Sequence, residues 1–281
     1  MNATKPSWFS HSALALGFAF LYLPMLILII YSFNESRLVT VWSGFSLKWY
    51  GELFRDQQMI DAAKVSLQIA FMTACASVVL GTMAAMVMTR FRQFPGKAMF
   101  SALMTAPLVM PEVITGLSIL LLFVAMGQTF GLFQERGVTT IWIAHVTFCV
   151  AFVTVVISSR MSELDRSLEE AAMDLGANRV KVFFLITLPI IAPALASGWL
   201  LAFTLSLDDL VISSFVSGPS STTLPMKVFS SVRMGVSPKI NALATLMIAI
   251  VSIAAFLGWW LMAREEKQRQ RDMQLALQQG G

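Results

Sequence analysis

Three carboxylates stand where negative charge is hard to hold. Glu112, Asp208 and Asp209 lie within long apolar runs. An Asp at the centre of a membrane helix costs about 2.5–3.5 kcal/mol, so each requires a partner or a water-filled surface. No Lys or Arg occupies the middle of those runs; the other strongly polar side chains there are His145, Gln68 and scattered Ser and Thr. Asp208 and Asp209 follow Thr204-Leu205-Ser206-Leu207. Successive helical residues point about 100° apart, so one of the pair is expected to meet a transport path and the other an adjacent helix. Two close carboxylates resist joint ionisation unless a cation intervenes, and a diammonium ligand would relieve that repulsion. Ser206 adds a hydroxyl acceptor. The chemistry on offer is capture of a cationic, hydrogen-bond-donating substrate.

Glu112 follows Pro107-Leu108-Val109-Met110-Pro111. Two prolines four apart remove backbone donors and bend or open a helix, freeing carbonyls that must face protein or water. Two readings stand side by side: a cation site beside a helix break, or a residue that merely caps the following half-helix. Covalent catalysis is not offered. No HExxH, GxSxG or Cys/His cluster is present, so no catalytic or metal-ligating residue is assigned, and His145, alone in its run, reads as a hydrogen-bonded packing histidine.

The elements that must position these groups are set by composition. At 281 residues, 57% hydrophobic and 13% charged, with mean hydropathy +0.72, the chain is an integral membrane protein. A span needs about 20 apolar residues, and six segments qualify: 11–33, 65–88, 99–126, 139–158, 190–216 and 240–262. The first continues through Pro24 into Tyr31-Ser32-Phe33 without a small-residue cleavage site, so it is kept as a membrane helix rather than a leader. The whole chain, 1–281, is read as one all-α, polytopic domain. With an even number of spans both termini share a side. Inside termini place Lys5, Arg90, Arg92, Lys97, Arg160, Arg166, Arg179, Lys181, Arg264, Lys267, Arg269 and Arg271 in the cytoplasm, which is the majority of the 20 basic residues. The polar tail, 264–281, is expected to be a solvated helical end. Net charge is only +4 and the basic residues are scattered, which excludes a nucleic-acid surface. Cys75 and Cys149 sit in apolar runs and read as packing residues.

Two outer segments follow from this topology. Residues 34–61 carry Trp42, Phe45, Trp49, Tyr50 and Phe54. Aromatics favour the membrane boundary, so a surface-lying or re-entrant helix is one reading; an entrance aromatic for a cation, Trp49 first, is the other. Residues 217–239 read as a structured loop with a short helix near 226–233.

The stretch between two apolar runs that carries dense charge of both signs is 169–189, EEAAMDLGANRVKVFFLITLP. Leu164, Leu168, Ala171, Ala172 and Leu175 recur at helical spacing, Gly176 stands where a helix would end in a left-handed residue, and Asn178 is placed to cap a second helix. That second helix is expected to stop near Pro189. Ala171 and Ala172 flatten the apolar face, as a helix lying in another protein's groove requires; packing on its own bundle is the alternative.

Glu170-Ala171-Ala172, three residues, Gly176, nine residues, then Ile186-Thr187-Leu188-Pro189 resembles the EAA loop of ABC importer permeases. The resemblance implies a type I importer permease fold with a cytoplasmic coupling segment at 160–189. Glu170, Ala171, Ala172, Asp174 and Gly176 would dock into an ATP-binding subunit. Leu205-Ser206-Leu207-Asp208-Asp209-Leu210, Ser213-Ser214-Phe215-Val216-Ser217-Gly218-Pro219 and the Pro107 to Glu112 stretch are similar to spermidine/putrescine importer permeases. That similarity implies a substrate path through Glu112, Asp208, Asp209, Ser206 and Trp49. Where many such proteins carry Asp, this chain has Glu112, which changes reach.

The implied assembly is a bacterial inner-membrane complex: a second, related permease, two ATP-binding subunits that hold ATP and Mg, and a periplasmic polyamine-binding protein. No phosphate-binding GxxxxGK[ST] occurs in this chain, so it is not the motor. A permease for ferric ion or a basic amino acid is an alternative. A passive cation channel is a further one, because a dication gains about 2 × 2.3 kcal/mol on entering at −100 mV; a channel has no use for a docking helix.

Overall fold

The protein is described by a computed structural model over residues 8–38, 41–91, 93–235 and 237–253, with residues 256, 258, 260 and 264 beyond them. Among the described residues the regular elements are all helices, apart from one isolated bridge between Asn34 and Phe45. The helices are α1 (Trp8–Ser32), α2 (Lys48–Arg55), α3 (Gln57–Arg90), α4 (Lys97–Val109), α5 (Glu112–Phe130), α6 (Val138–Glu163), α7 (Arg166–Asp174), α8 (Arg179–Val182), a π-turn (Phe183–Thr187), α9 (Leu188–Leu207), α10 (Val211–Val216) and α11 (Leu224–Arg233). A further apolar helix, α12, spans Pro238–Ile253.

Among the described residues, five helical stretches are long and apolar enough to cross a membrane: Trp8–Ser32, Gln57–Arg90, Glu112–Phe130, Val138–Glu163 and Arg179–Leu207. They correspond to five of the six expected spans, and two of those spans differ in form. The third is not one helix: α4 ends at Val109 and α5 begins after Pro111, as the paired prolines dictate. The fifth is interrupted at 208–210 between α9 and α10. The sixth is described as α12, and the rest of that segment lies largely outside the described residues, as do Lys5, Arg92 and nearly all of the 264–281 tail.

The chain divides into two compact units, residues 1–57 with 230–281, and residues 58–229. In the first, Asn34 organises the loop after α1. Its Nδ2 donates to the Val41 carbonyl at 2.7 Å and its Oδ1 accepts from the Ser43 amide at 3.0 Å. Tyr50 Oη meets Ser32 Oγ at 2.7 Å, and Phe33 stacks on Phe45. A short amphipathic helix, α2, follows this loop and buries Trp49 and Leu53. Lys239, in the first turn of α12, pairs with Asp56 at 2.8 Å.

In the second unit α6 is the hub. Of its most apolar stretch 61% is buried, against 17% for Arg179–Leu207. Ile141, Ala144, Val153, Ile157 and Met161 of α6 form the core with Ile69 of α3, Ile119 and Phe123 of α5, Ile191 and Ala202 of α9, and Ile212 of α10. Two glycines let the helices close. A Cβ on Gly81 would lie 2.7 Å from Val153 Cγ1, and one on Gly198 would lie 3.3 Å from the same atom. In lipid there is no water to expel between helices, so such backbone approach and its dispersion contacts carry the packing.

Candidate functional site

The interruption of the fifth span is built by Asp209. One of its oxygens accepts from the Ile212 amide at 3.2 Å and the other from the Ser213 amide at 2.7 Å, satisfying the first free N–H groups of α10. At the other end of this six-residue helix, Thr140 Oγ1 donates to the Val216 carbonyl at 2.8 Å and Arg136 donates to that of Phe215 at 3.4 Å. Both ends of α10 are thus capped by side chains, which lets so short a helix persist at membrane depth. No side chain fits at Gly218, where a Cβ would collide with the Arg136 carbonyl.

His145, on α6, completes the arrangement. Its Nε2 lies 3.1 Å from Asp209 Oδ2 and 3.0 Å from Ser213 Oγ, and its Nδ1 lies 2.7 Å from Ser206 Oγ. An ionised carboxylate only accepts, so Nε2 carries the proton toward Asp209; in the neutral ring Nδ1 then accepts from the Ser206 hydroxyl. The side chains of His145 and Asp209 are 2% and 6% exposed. The expectation that the two aspartates share one continuous helix and diverge by its 100° step is corrected. Asp208 caps the end of α9 and is exposed, while Asp209 turns into the core beyond it.

Glu112 opens α5 directly after Pro111 and is exposed. Its place relative to Asp208 follows from α5 packing on α10. A Cβ on Gly116 would lie 2.8 Å from the Phe215 ring and 3.3 Å from the Ile212 Cα. Both helices run toward the 131–137 end. Glu112, at the start of α5, and the 208–210 interruption, just before α10, therefore lie toward the same end of this packed pair. Among the described residues neither Glu112 nor Asp208 forms an ion pair. Ser206, by contrast, is buried and committed to His145.

Trp49 belongs to the other unit. It is 3% exposed, its Nε1 donates to the Asn34 carbonyl at 2.7 Å, and Lys48 Nζ lies 5.1 Å from its ring centroid. Its hydrogen bond and one face are therefore already used within its own loop. His145 is the residue that sequence reasoning left out of the site. The only signal was a lone imidazole in an apolar helix.

The second centre is the elbow formed by α7, α8 and the π-turn. Asp165 caps α7, accepting from the Ser167 amide at 2.9 Å. That hydrogen bond holds its carboxyl below the usual carboxylate range. Gly176 adopts φ +90°. Its amide donates to the Met173 carbonyl at 2.9 Å and the Ala177 amide to that of Ala172 at 3.1 Å, the paired bonds of a Schellman termination. Asn178 Oδ1 accepts from the Lys181 amide at 2.8 Å and starts α8. The expected stop near Pro189 does not occur, because Arg179–Leu207 is continuous. Pro189 has no N–H to give to the previous turn, and the π-turn just before it, with the Leu188 amide on the Phe183 carbonyl, shifts the register so that the helix continues. Glu170, Ala171, Asp174 and Gly176 are exposed and Ala172 is half-buried. Leu175 is 91% exposed and Val180 64%.

Comparison with known proteins agrees with this architecture. A bacterial ABC transporter that imports the acidic polysaccharide alginate has the same fold, with TM-score 0.69 at 15% identity, covering 89% of this chain and 93% of that one. The putrescine transport system permease protein PotI of Escherichia coli K12 is 66% identical over 263 residues, 94% of each chain. The spermidine/putrescine transport system permease protein PotC of the same strain is 39% identical over 249 residues, 89% of this chain and 91% of PotC. Residues 77–269 match the family described as the binding-protein-dependent transport system inner membrane component, and the chain belongs to that family.

Proposed function

We propose that this chain is a transmembrane permease subunit of an ATP-driven polyamine importer, with putrescine as the cargo its sequence relatives indicate. The observation that carries the reading is the pair of helix breaks toward the same end of α5 and α10, which present two exposed carboxylates, Glu112 and Asp208, that form no ion pair among the described residues. An alkyl diamine offers two ammonium groups to such a pair. Fold alone does not select the cargo, since an alginate importer shares it. The selection rests on side chains. In this reading Asp208 and Glu112 contact the substrate, whereas Asp209, Ser206 and His145 hold the break open. Trp49 shapes the loop that follows α1.

The coupling element is the elbow of α7, Gly176 and α8, on which Leu175 and Val180 are exposed apolar residues of the kind a groove of an ATP-binding subunit would take. The assembly contains a second, related permease, two such subunits holding ATP and Mg, and a binding protein that delivers polyamine. Both termini and the elbow lie in the cytoplasm, as the basic residues around the elbow favour. Nucleotide closes the ATPase pair, α7 transmits the motion, and substrate shifts the balance through unequal affinity for the two states. The test is uptake by the reconstituted complex with putrescine, spermidine, arginine and ferric ion in competition. ATP-dependent uptake of putrescine, displaced by spermidine and not by arginine or iron, is expected; uptake that persists without nucleotide or ATPase subunits would overturn the reading.

A further inference from the structure

Glu169 and Glu170 are adjacent on α7, yet they do different things. Glu170 is exposed. The side chain of Glu169 is 15% exposed, and its Oε1 accepts both from Arg90 Nη2 at 2.8 Å and from Thr187 Oγ1 at 2.8 Å. Arg90 is the last residue of α3, and its Nη1 also donates to the Met161 carbonyl of α6 at 3.3 Å. Thr187 closes the π-turn and is 3% exposed. One carboxylate oxygen thus joins α7 to the end of α3, through it to α6, and to the turn from which α9 begins. A second strap, Arg166 Nη2 to the Thr89 carbonyl at 2.7 Å, fixes only the start of α7 to α3 and does not reach the π-turn.

We propose that Glu169 is the positioning residue that passes movement of α7 to the substrate level. The path is short and physically continuous. Thr187 immediately precedes α9, a continuous helical rod of 20 residues with Pro193 in its early turns and a length of about 30 Å. That rod ends at Asp208. A displacement of α7 that drags Thr187 through Glu169 shifts the base of this rod, and the π-turn, with its looser register, is where the rod can pivot. Glu170 and the exposed apolar residues make the external contact, while Glu169 turns it into motion of the helix that carries Asp208. The inference rests on the reading of α7 as the ATPase contact.

The test uses the complete complex in proteoliposomes, measuring ATP consumed per putrescine imported and the ATPase subunits that copurify. Three changes are compared: Glu169→Gln, Thr187→Val, and the exchange of Arg90→Glu with Glu169→Arg. Leu175→Asp on the exposed surface serves as the control for docking. The expected result is a fivefold or greater rise in ATP per putrescine for Glu169→Gln and for Thr187→Val, with ATPase subunits recovered in normal ratio, and partial recovery of coupling in the exchange. Normal ATP per putrescine in both single variants would overturn the role of Glu169, and so would loss of coupling in strict proportion to loss of bound ATPase. Full retention of ATPase by Leu175→Asp would instead remove the docking reading beneath it.

Discussion

Two adjacent acidic pairs, Asp208-Asp209 in the membrane and Glu169-Glu170 at the elbow, are divided in the same way. One member of each turns inward and is engaged by its own chain, Asp209 by His145 and two amides, Glu169 by Arg90 and Thr187. The other member of each faces out. The difference lies in what occupies the inward member. At the elbow it is a guanidinium, so Glu169 and Arg90 neutralise each other and form a fixed mechanical joint. At the break it is an imidazole and backbone N–H groups, which stabilise the carboxylate without a lysine or arginine. In the proposed reading the break keeps its demand for a cation beside Asp208 and Glu112, so that one site is closed by its own chain and the other is completed by cargo.

The largest effect that separates the two regions is expected from Asp209→Ala. It strips the α10 amides and the His145 N–H of their acceptor inside the membrane, a loss of about 3 kcal/mol, visible as a marked drop in the melting temperature of the purified complex. Gly176→Asp comes next and acts only at the elbow. Left-handed backbone costs a side-chain-bearing residue about 1 kcal/mol, and the added charge sits beside the docking surface. ATP turnover is expected to separate from uptake while the melting temperature stays near that of the parent; unchanged coupling would move the docking surface elsewhere. The smallest effect is that of pH on the cap of α7. The Asp165 carboxyl titrates below its ordinary value of 3.8 because the Ser167 amide stabilises the charged form. Its contribution to α7 is therefore complete above the unfolded value and fades as pH falls through the lowered one. A carboxyl-resolved NMR titration that found Asp165 at or above 3.8 would contradict the cap.

What could be read from the sequence was set by how local its cause is. Asp165 aside, the elbow was legible because Gly176 and Asn178 act through residues within a turn of themselves. The break at Met110 was legible because two prolines announce it. The break at 208–210 was not, since no proline or glycine marks it and Asp209, which caps α10, is held by His145, far away in sequence on another helix. Pro189 misled for the complementary reason: a proline ends a regular helix, but a π-turn that closes two residues earlier lets the chain continue. Trp49 shows the limit of residue type as a guide. An aromatic near the membrane boundary can meet a cationic ligand, but this one is buried, with its Nε1 on the Asn34 carbonyl and Lys48 of its own helix over its ring.

The central claim is that Asp208, not Asp209, meets the cargo. The initial rate of putrescine uptake by Asp208→Asn, measured beside the melting temperature of the same preparation, tests it most directly. A tenfold or greater loss of uptake, about 1.4 kcal/mol of interaction, with an unshifted melting temperature is the expected result. Uptake at the parent rate would contradict the account.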